Sequence, residues 1–140
     1  MERDMTFHRG DICWFTDPIF REENSFVLRG KRPAVIVSTD EANETSCTVI
    51  IAPLTTKIDK RLYPGQFDIW LDGTQSRIRC DQARVVDKHM LETPHATLDD
   101  ECMDALDIAL LNALGLETYI PEAEEQSESP VTVAKLVRTF

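Results

Sequence analysis

The spacing of apolar positions changes partway along the chain, and the change separates two kinds of element. Up to residue 98 they come in short runs and two-residue alternations, bounded by polar, Gly or Pro breaks, which is the pattern of strands. Arg9-Gly10-Asp11-Ile12-Cys13-Trp14-Phe15 ends at Asp17-Pro18. Residues 33–38 and 47–52 are β-branched runs, and 39–44 between them reads as a polar turn. Gln66-Phe67-Asp68-Ile69-Trp70-Leu71 alternates as a half-buried strand does, and Asp72-Gly73 after it is a hairpin signal. Residues 78–86 then read as the return strand, with Arg79, Asp81 and Arg84 off the core face. From Leu98 the period lengthens: Leu98, Cys102, Met103, Leu106, Ala109, Leu110, Ala113 and Leu114 predict an amphipathic helix that stops at Gly115. Thr97 is the expected N-cap, with Asp100 completing a capping box and Asp99, Asp100 and Glu101 complementing the helix dipole.

A length of 140 residues is one domain, large enough to bury a core without disulfides or a structural metal. The net charge of −10 is unevenly placed. Residues 1–98 hold 13 Lys and Arg against 15 Asp and Glu, whereas 99–140 hold 2 against 10. A pI near 4.7 argues against a broad nucleic-acid-binding surface but leaves room for a local basic cleft in the first part. The expected division is a folded domain over 1–116 and an extension over 117–140. Within the extension, 121–130 is an acidic, weakly hydrophobic linker, and 131–140 turns apolar and must dock or fray. No apolar stretch approaches the ~20 residues of a membrane span, and the acidic first residues lack a signal peptide's apolar run. The expected location is cytoplasmic, with reduced cysteines.

Candidate chemistry concentrates in two segments. Cys13, Cys47, Cys80 and Cys102 lack the paired short spacing of a zinc site and read as buried structural thiols. His8, His89 and His95 sit in no nucleophile motif and read as surface histidines. Arg29-Gly30-Lys31-Arg32-Pro33 is the densest positive charge in the chain. Arg32 precedes a proline, which favours extended backbone at a strand entrance and aims its guanidinium, the side chain best matched to phosphate oxygens. Ile51-Ala52-Pro53-Leu54-Thr55-Thr56-Lys57 leaves a strand by presenting two hydroxyls and a cation. No glycine-rich phosphate loop accompanies it, so a nucleoside triphosphate is not the expected ligand.

Taken in order, these segments resemble the MazF/PemK family of toxins from bacterial toxin–antitoxin systems, over residue 9 to about 115. Arg9-Gly10-Asp11-Ile12 is similar to the opening strand motif, and the stretch from Arg29 to Ser38 to the second strand and its arginine. Thr48 to Lys57 is similar to the third strand and threonine turn, and Cys80-Asp81-Gln82-Ala83-Arg84-Val85-Val86-Asp87-Lys88 to the late strand before the helix. The resemblance implies a mainly β fold with α, an SH3-like small β-barrel with a C-terminal helix. It implies a homodimer that cleaves single-stranded RNA with no metal or other cofactor, is inhibited by a cognate antitoxin, and binds DNA together with it. Carried over residue by residue, the catalytic arginine falls on Arg32 and the catalytic threonine on Thr55. Arg29, Lys31, Thr56, Lys57 and Gln82 are the expected RNA contacts.

The loop before Arg29, Asn24-Ser25-Phe26-Val27-Leu28, is more apolar than the family's Gly-Ser-Glu-Gln, so the cleavage sequence does not carry over. Two other readings stay open: a non-enzymatic, gyrase-directed toxin of the same fold, and a degenerate member that binds only antitoxin or RNA. The five carboxylates of 117–130 also suggest a tail that covers the basic groove near Arg32 and Lys57, the alternative being a linker to a segment that pads the barrel.

Overall fold

Alternation and turn signals resolve into a curled, mostly antiparallel sheet with one long helix packed on one face. The computed structural model describes residues 5–17, 25–116, 133–134 and 137–139. The strands are β1 (Asp11–Thr16), β2 (Lys31–Ile36), β3 (Thr48–Thr55), β4 (Gln66–Leu71), β5 (Thr74–Arg79), β6 (Arg84–Asp87), β7 (Ala96–Leu98), β8 (Val133–Ala134) and β9 (Val137–Thr139). The helices are α1 (Asp40–Thr45) and α2 (Asp100–Leu114). The sheet runs β8-β4-β5-β3-β2-β1-β7-β9, with β6 also paired to β3. This half-barrel with its C-terminal helix is the architecture that the resemblance implies.

Each face of the sheet buries its own core, because successive side chains alternate sides. On the α2 face, Ile12, Val35, Ala52, Leu54, Phe67, Ile69 and Ile78 meet Cys102, Ala105, Leu106 and Ala109 of the helix. On the opposite face, Phe7, Cys13, Phe15, Ala34, Ile36, Val49, Ile51, Val86 and Leu91 form a second, smaller core. Burying one such aliphatic or aromatic side chain contributes about 1.5–3 kcal/mol, so both faces constrain the strands. The β4–β5 hairpin turns at Asp72 (φ 52°) and Gly73 (φ 80°), two consecutive left-handed residues that match the twist of its strands. Helix α2 ends, as expected, at Gly115 in the left-handed region.

Several local expectations are corrected. The polar turn at 39–44 contains α1, whose N-cap Thr39 accepts a hydrogen bond from the Ala42 N–H. Residues 78–86 are two strands, separated by a 3-10 turn at Cys80–Gln82. The break is geometric: β5 pairs with Leu54 and Thr55 at one end of β3, while β6 pairs with Thr48–Ile51 at the other. Thr97 lies in β7 opposite Asp11, and the N-cap of α2 is Asp99, whose carboxylate accepts from Cys102 N–H at 2.8 Å. Cys47 lies just before β3 and is exposed, whereas Cys13, Cys80 and Cys102 are buried.

Part of the C-terminal extension joins the sheet. β8 pairs parallel with β4 at Asp68 and Ile69, and β9 pairs antiparallel with β7 at Ala96–Leu98. Each adds a strand to an outer member of the sheet, where unpaired backbone groups would otherwise face solvent. Residues 117–130, which include the acidic linker at 121–130, lie outside the described residues, and so does the expectation that they cover a groove. Among the described residues no helix is long and apolar enough to cross a membrane.

Burial pushes the thiols of Cys13 and Cys80 up to about 12, with the charges of Asp11 and Asp81 adding to the effect. A thiol reagent applied to the native protein at neutral pH should therefore modify Cys47 alone, and all four cysteines in denaturant. Fast native labelling of Cys13 or Cys80 would contradict the packing described.

Candidate active site

Strand register assembles the candidate site from residues far apart in sequence. The β1–β2 ladder sets Phe15 opposite Arg32. β2 meets β3 with Ala34 opposite Pro53 and Val35 opposite Ala52; carried two residues toward the strand ends, this register aligns Arg32 with Thr55. Thr55 lies opposite Arg77 on β5, and Arg77 opposite Asp68 on β4. Residues directly opposite share a face. Phe15, Arg32, Thr55, Arg77 and Asp68 thus form one transverse row. Their neighbours Leu54, Ile78 and Phe67 point into the α2-side core, so the row belongs to the opposite face, where it continues the smaller core as a polar strip.

Each polar member of the row is held in a fixed orientation. Arg32 donates from Nε (3.1 Å) and Nη2 (2.9 Å) to the Arg29 carbonyl and from Nη1 (3.1 Å) to the Leu54 carbonyl, which sets the plane of its guanidinium. Thr55 is 8% exposed, and its Oγ1 accepts the Lys57 N–H at 3.1 Å, bending the chain so that Thr56 and Lys57 face solvent. Arg77 and Asp68 are buried and joined by two bonds of 2.6 and 3.0 Å. Arg77 also donates to the Arg61 carbonyl at 3.1 Å, tying the 57–65 loop to the sheet beside Thr55. Gln75 donates to Asp68 at 3.1 Å, so the carboxylate is held from two residues of β5.

A second set of contacts fixes the segment leading to Arg32. Asp17, with a side chain 2% exposed, pairs with Arg29 at 2.8 Å and with Arg84 at 2.9 Å. The Arg84 guanidinium also lies over the Phe15 ring, 5.4 Å from its centre. Gln82 accepts the Leu28 N–H at 2.7 Å and donates to the Phe26 carbonyl at 3.0 Å, so its amide binds this segment as a neighbouring strand would. The 3-10 turn carrying Gln82 is braced by Asp81, which accepts from Arg79 and Gln66. Burial works to raise the Asp81 carboxyl, but the hydrogen bonds from Arg79 and Gln66 outweigh it and hold the group below its ordinary range.

The expected site residues therefore fall into three groups. Arg32 and Thr55 stand at one end of the polar strip, and Thr56 and Lys57 follow in the exposed turn after Thr55. Arg29 and Gln82 stand beside it, engaged with Asp17 and with residues 26–28. Lys31 leaves β2 on the other face, where it pairs with Glu92 at 3.3 Å and lies 5.8 Å from the Trp14 ring. Sequence reasoning missed Asp17, Asp68 and Arg77. A signal for the last two was present: both are four residues from the Asp72-Gly73 turn, and a two-residue hairpin pairs such positions. Among the described residues no three His, Cys, Asp or Glu side chains cluster as ligands of a metal ion.

Residues 8–114 match the family model for a PemK-like, MazF-like toxin of type II toxin–antitoxin systems. The chain is 34% identical to the endoribonuclease EndoA of Bacillus subtilis (strain 168) over 118 residues, covering 80% of this chain and 97% of that protein. Its fold is similar to that of a mycobacterial endoribonuclease solved with its cognate antitoxin (TM-score 0.61, 21% identity, 78% of this chain and 95% of that one). MazF from Deinococcus radiodurans is similar too (TM-score 0.59, 19% identity, 80% and 99%).

Removing one member of a buried ion pair leaves the other charge uncompensated, at a cost of about 3–5 kcal/mol. Asp68→Ala should lower stability in urea by that amount, and adding Arg77→Met should recover most of the loss. A loss under about 1 kcal/mol for the single variant would mean that the pair is not desolvated as described.

Proposed function

Because the chain belongs to the PemK-like, MazF-like toxin family of type II toxin–antitoxin systems, we propose that it is a sequence-specific endoribonuclease that cuts single-stranded RNA without a metal. In this reading it acts as a cytoplasmic homodimer and is neutralised by a cognate antitoxin. The observation that carries the proposal is the bond from Arg32 Nη1 to the Leu54 carbonyl, which sets the guanidinium beside the residue preceding Thr55, with a cation and a second hydroxyl in the turn that follows.

The chemistry needs little more than orientation and charge. The ribose 2′-hydroxyl gives up its proton as its oxygen attacks the adjacent phosphorus, and the bond from phosphorus to the 5′-oxygen breaks. One proton thus leaves the nucleophile and one joins the leaving oxygen. One fragment keeps a 2′,3′-cyclic phosphate, and the other leaves with a 5′-hydroxyl once its oxygen takes up a proton. Negative charge grows on the non-bridging oxygens as the phosphorus becomes five-coordinate. Arg32 answers that charge with a planar fork already oriented by two carbonyls, and the Thr55 hydroxyl donates to one oxygen while accepting from Lys57 N–H. Arg32 acts as an electrostatic clamp rather than a proton donor, because guanidinium keeps its protons in proteins. Lys57, Thr56 and Arg29 bind the flanking backbone. Gln82 acts by holding residues 26–28 against the strip, and Lys31 serves RNA that wraps to the far face. Donors fixed before the substrate arrives spend no reorganisation energy during the reaction.

Purified protein incubated with a long RNA in excess EDTA should give discrete cuts with 5′-hydroxyl ends. Arg32→Ala and Thr55→Ala should each slow cleavage about 10²–10³-fold while remaining folded, the usual cost of losing one transition-state donor. No cleavage, or cleavage only after metal is added, would overturn the reading; wild-type rates in either variant would overturn that residue's role.

A further inference from the structure

The strip's face carries a large aromatic side chain that neither core uses. Trp70 lies two residues beyond Asp68 on β4 and opposite Gln75 on β5. Strand alternation therefore puts it on the same face as Asp68, Arg77 and Thr55, while its neighbours Ile69 and Leu71 are buried toward α2. Trp70 is 45% exposed. One exposed aromatic residue means little by itself, but the surroundings here have a consistent character. The 57–65 loop, whose Arg61 carbonyl is held by Arg77 and whose Gly65 lies against Ala113 of α2, presents exposed Lys57, Lys60 and Arg61. Arg61 lies over the ring of Tyr63, itself 46% exposed, at 4.8 Å. An exposed indole on the strip's face, bordered by a loop that carries exposed cations and is fastened to that face at Arg61, is the composition of a surface that tracks a single strand.

Resting on the ribonuclease reading, we propose that Trp70 is a base-stacking subsite for the RNA strand, flanking the bond cut at Arg32 and Thr55. Thr55 and Trp70 are two strand spacings apart across the sheet and one side-chain repeat apart along it, roughly 12 Å between Cα atoms. An extended dinucleotide covers that span. With the scissile phosphate on Arg32, a nearby base reaches the indole while its phosphate stays within reach of Lys57 or Arg61. Every base has a π-face, so Trp70 contributes affinity and register rather than selectivity for the cut site. The Gln75 amide opposite Trp70 is engaged with Asp68, which holds that side of the subsite in place.

The chain has two tryptophans, so in a Trp14→Phe background Trp70 is the only one that emits. An oligonucleotide with 2′-deoxyribose at the cut site, which lacks the nucleophile, should quench that emission on binding. In cleavage assays Trp70→Ala should raise KM for RNA about ten-fold, with the larger part of the loss in KM rather than kcat, and Trp70→Phe should restore most of it. Unquenched emission with bound oligonucleotide, or an unchanged KM in Trp70→Ala, overturns the subsite. A Trp70→Ala protein that sediments as a smaller species with unchanged KM also overturns it, and assigns the face to contact between protein chains. The two readings fail separately. A parent that cuts RNA alongside an unaffected Trp70→Ala rejects only the subsite, whereas quenching by RNA in a parent that never cuts rejects only the nuclease.

Discussion

Ala34 faces Pro53, Val35 faces Ala52 and Ile36 faces Ile51 across β2 and β3, and the candidate site depends on that register. Val35 and Ala52 belong to the core beneath α2, while Ala34, Ile36 and Ile51 belong to the core on the other side. A slip by one residue would exchange these faces and expose several side chains, each worth about 1.5–3 kcal/mol when buried. It would also set Arg32 opposite Leu54 or Thr56 instead of Thr55. The alignment of the two residues is thus secured by apolar packing on both faces, which outweighs anything the polar groups contribute directly.

The polar strip adds orientation. A buried pair such as Asp68–Arg77 gains little net stability over apolar residues of similar size, since its attraction is offset by desolvation. Its effect is positional. Arg77 fastens the 57–65 loop through the Arg61 carbonyl. On the other side of Arg32, Asp17 gathers Arg29 and Arg84, and Gln82 binds residues 26–28. Both segments flanking the Arg32–Thr55 pair are thereby tied to the sheet by side chains that reach it from other strands. Catalysis by fixed donors requires such an arrangement, because an arginine free to move would spend its binding energy on becoming ordered.

Much of this was legible in the sequence. Periods of two and then three to four residues located the strands and α2, Asp72-Gly73 marked the hairpin, and Gly115 marked the helix end. Family motifs singled out Arg32 and Thr55. What escaped depends on contacts between distant segments. The break at Cys80–Gln82 exists because β3 pairs with β5 at one end and β6 at the other, which no local pattern records. Asp99 displaced Thr97 as the cap because Thr97 was drawn into pairing with β1. Gln82 is an expected RNA contact, and nothing local signals that its amide binds the 26–28 segment, which only the fold brings against it. The facing of Lys31 was available from alternation alone, since residues adjacent to one another in a strand point to opposite sides.

The central claim is that Arg32 and Thr55 act as one unit across the β2–β3 register. Single-turnover cleavage of one RNA by the parent protein, Arg32→Ala, Thr55→Ala and the double variant measures their coupling directly. Groups that stabilise the same phosphoryl oxygens should be strongly non-additive, with the double variant little slower than the worse single one. Losses that multiply, so that the double variant is slower by the product of the two single effects, would contradict the account.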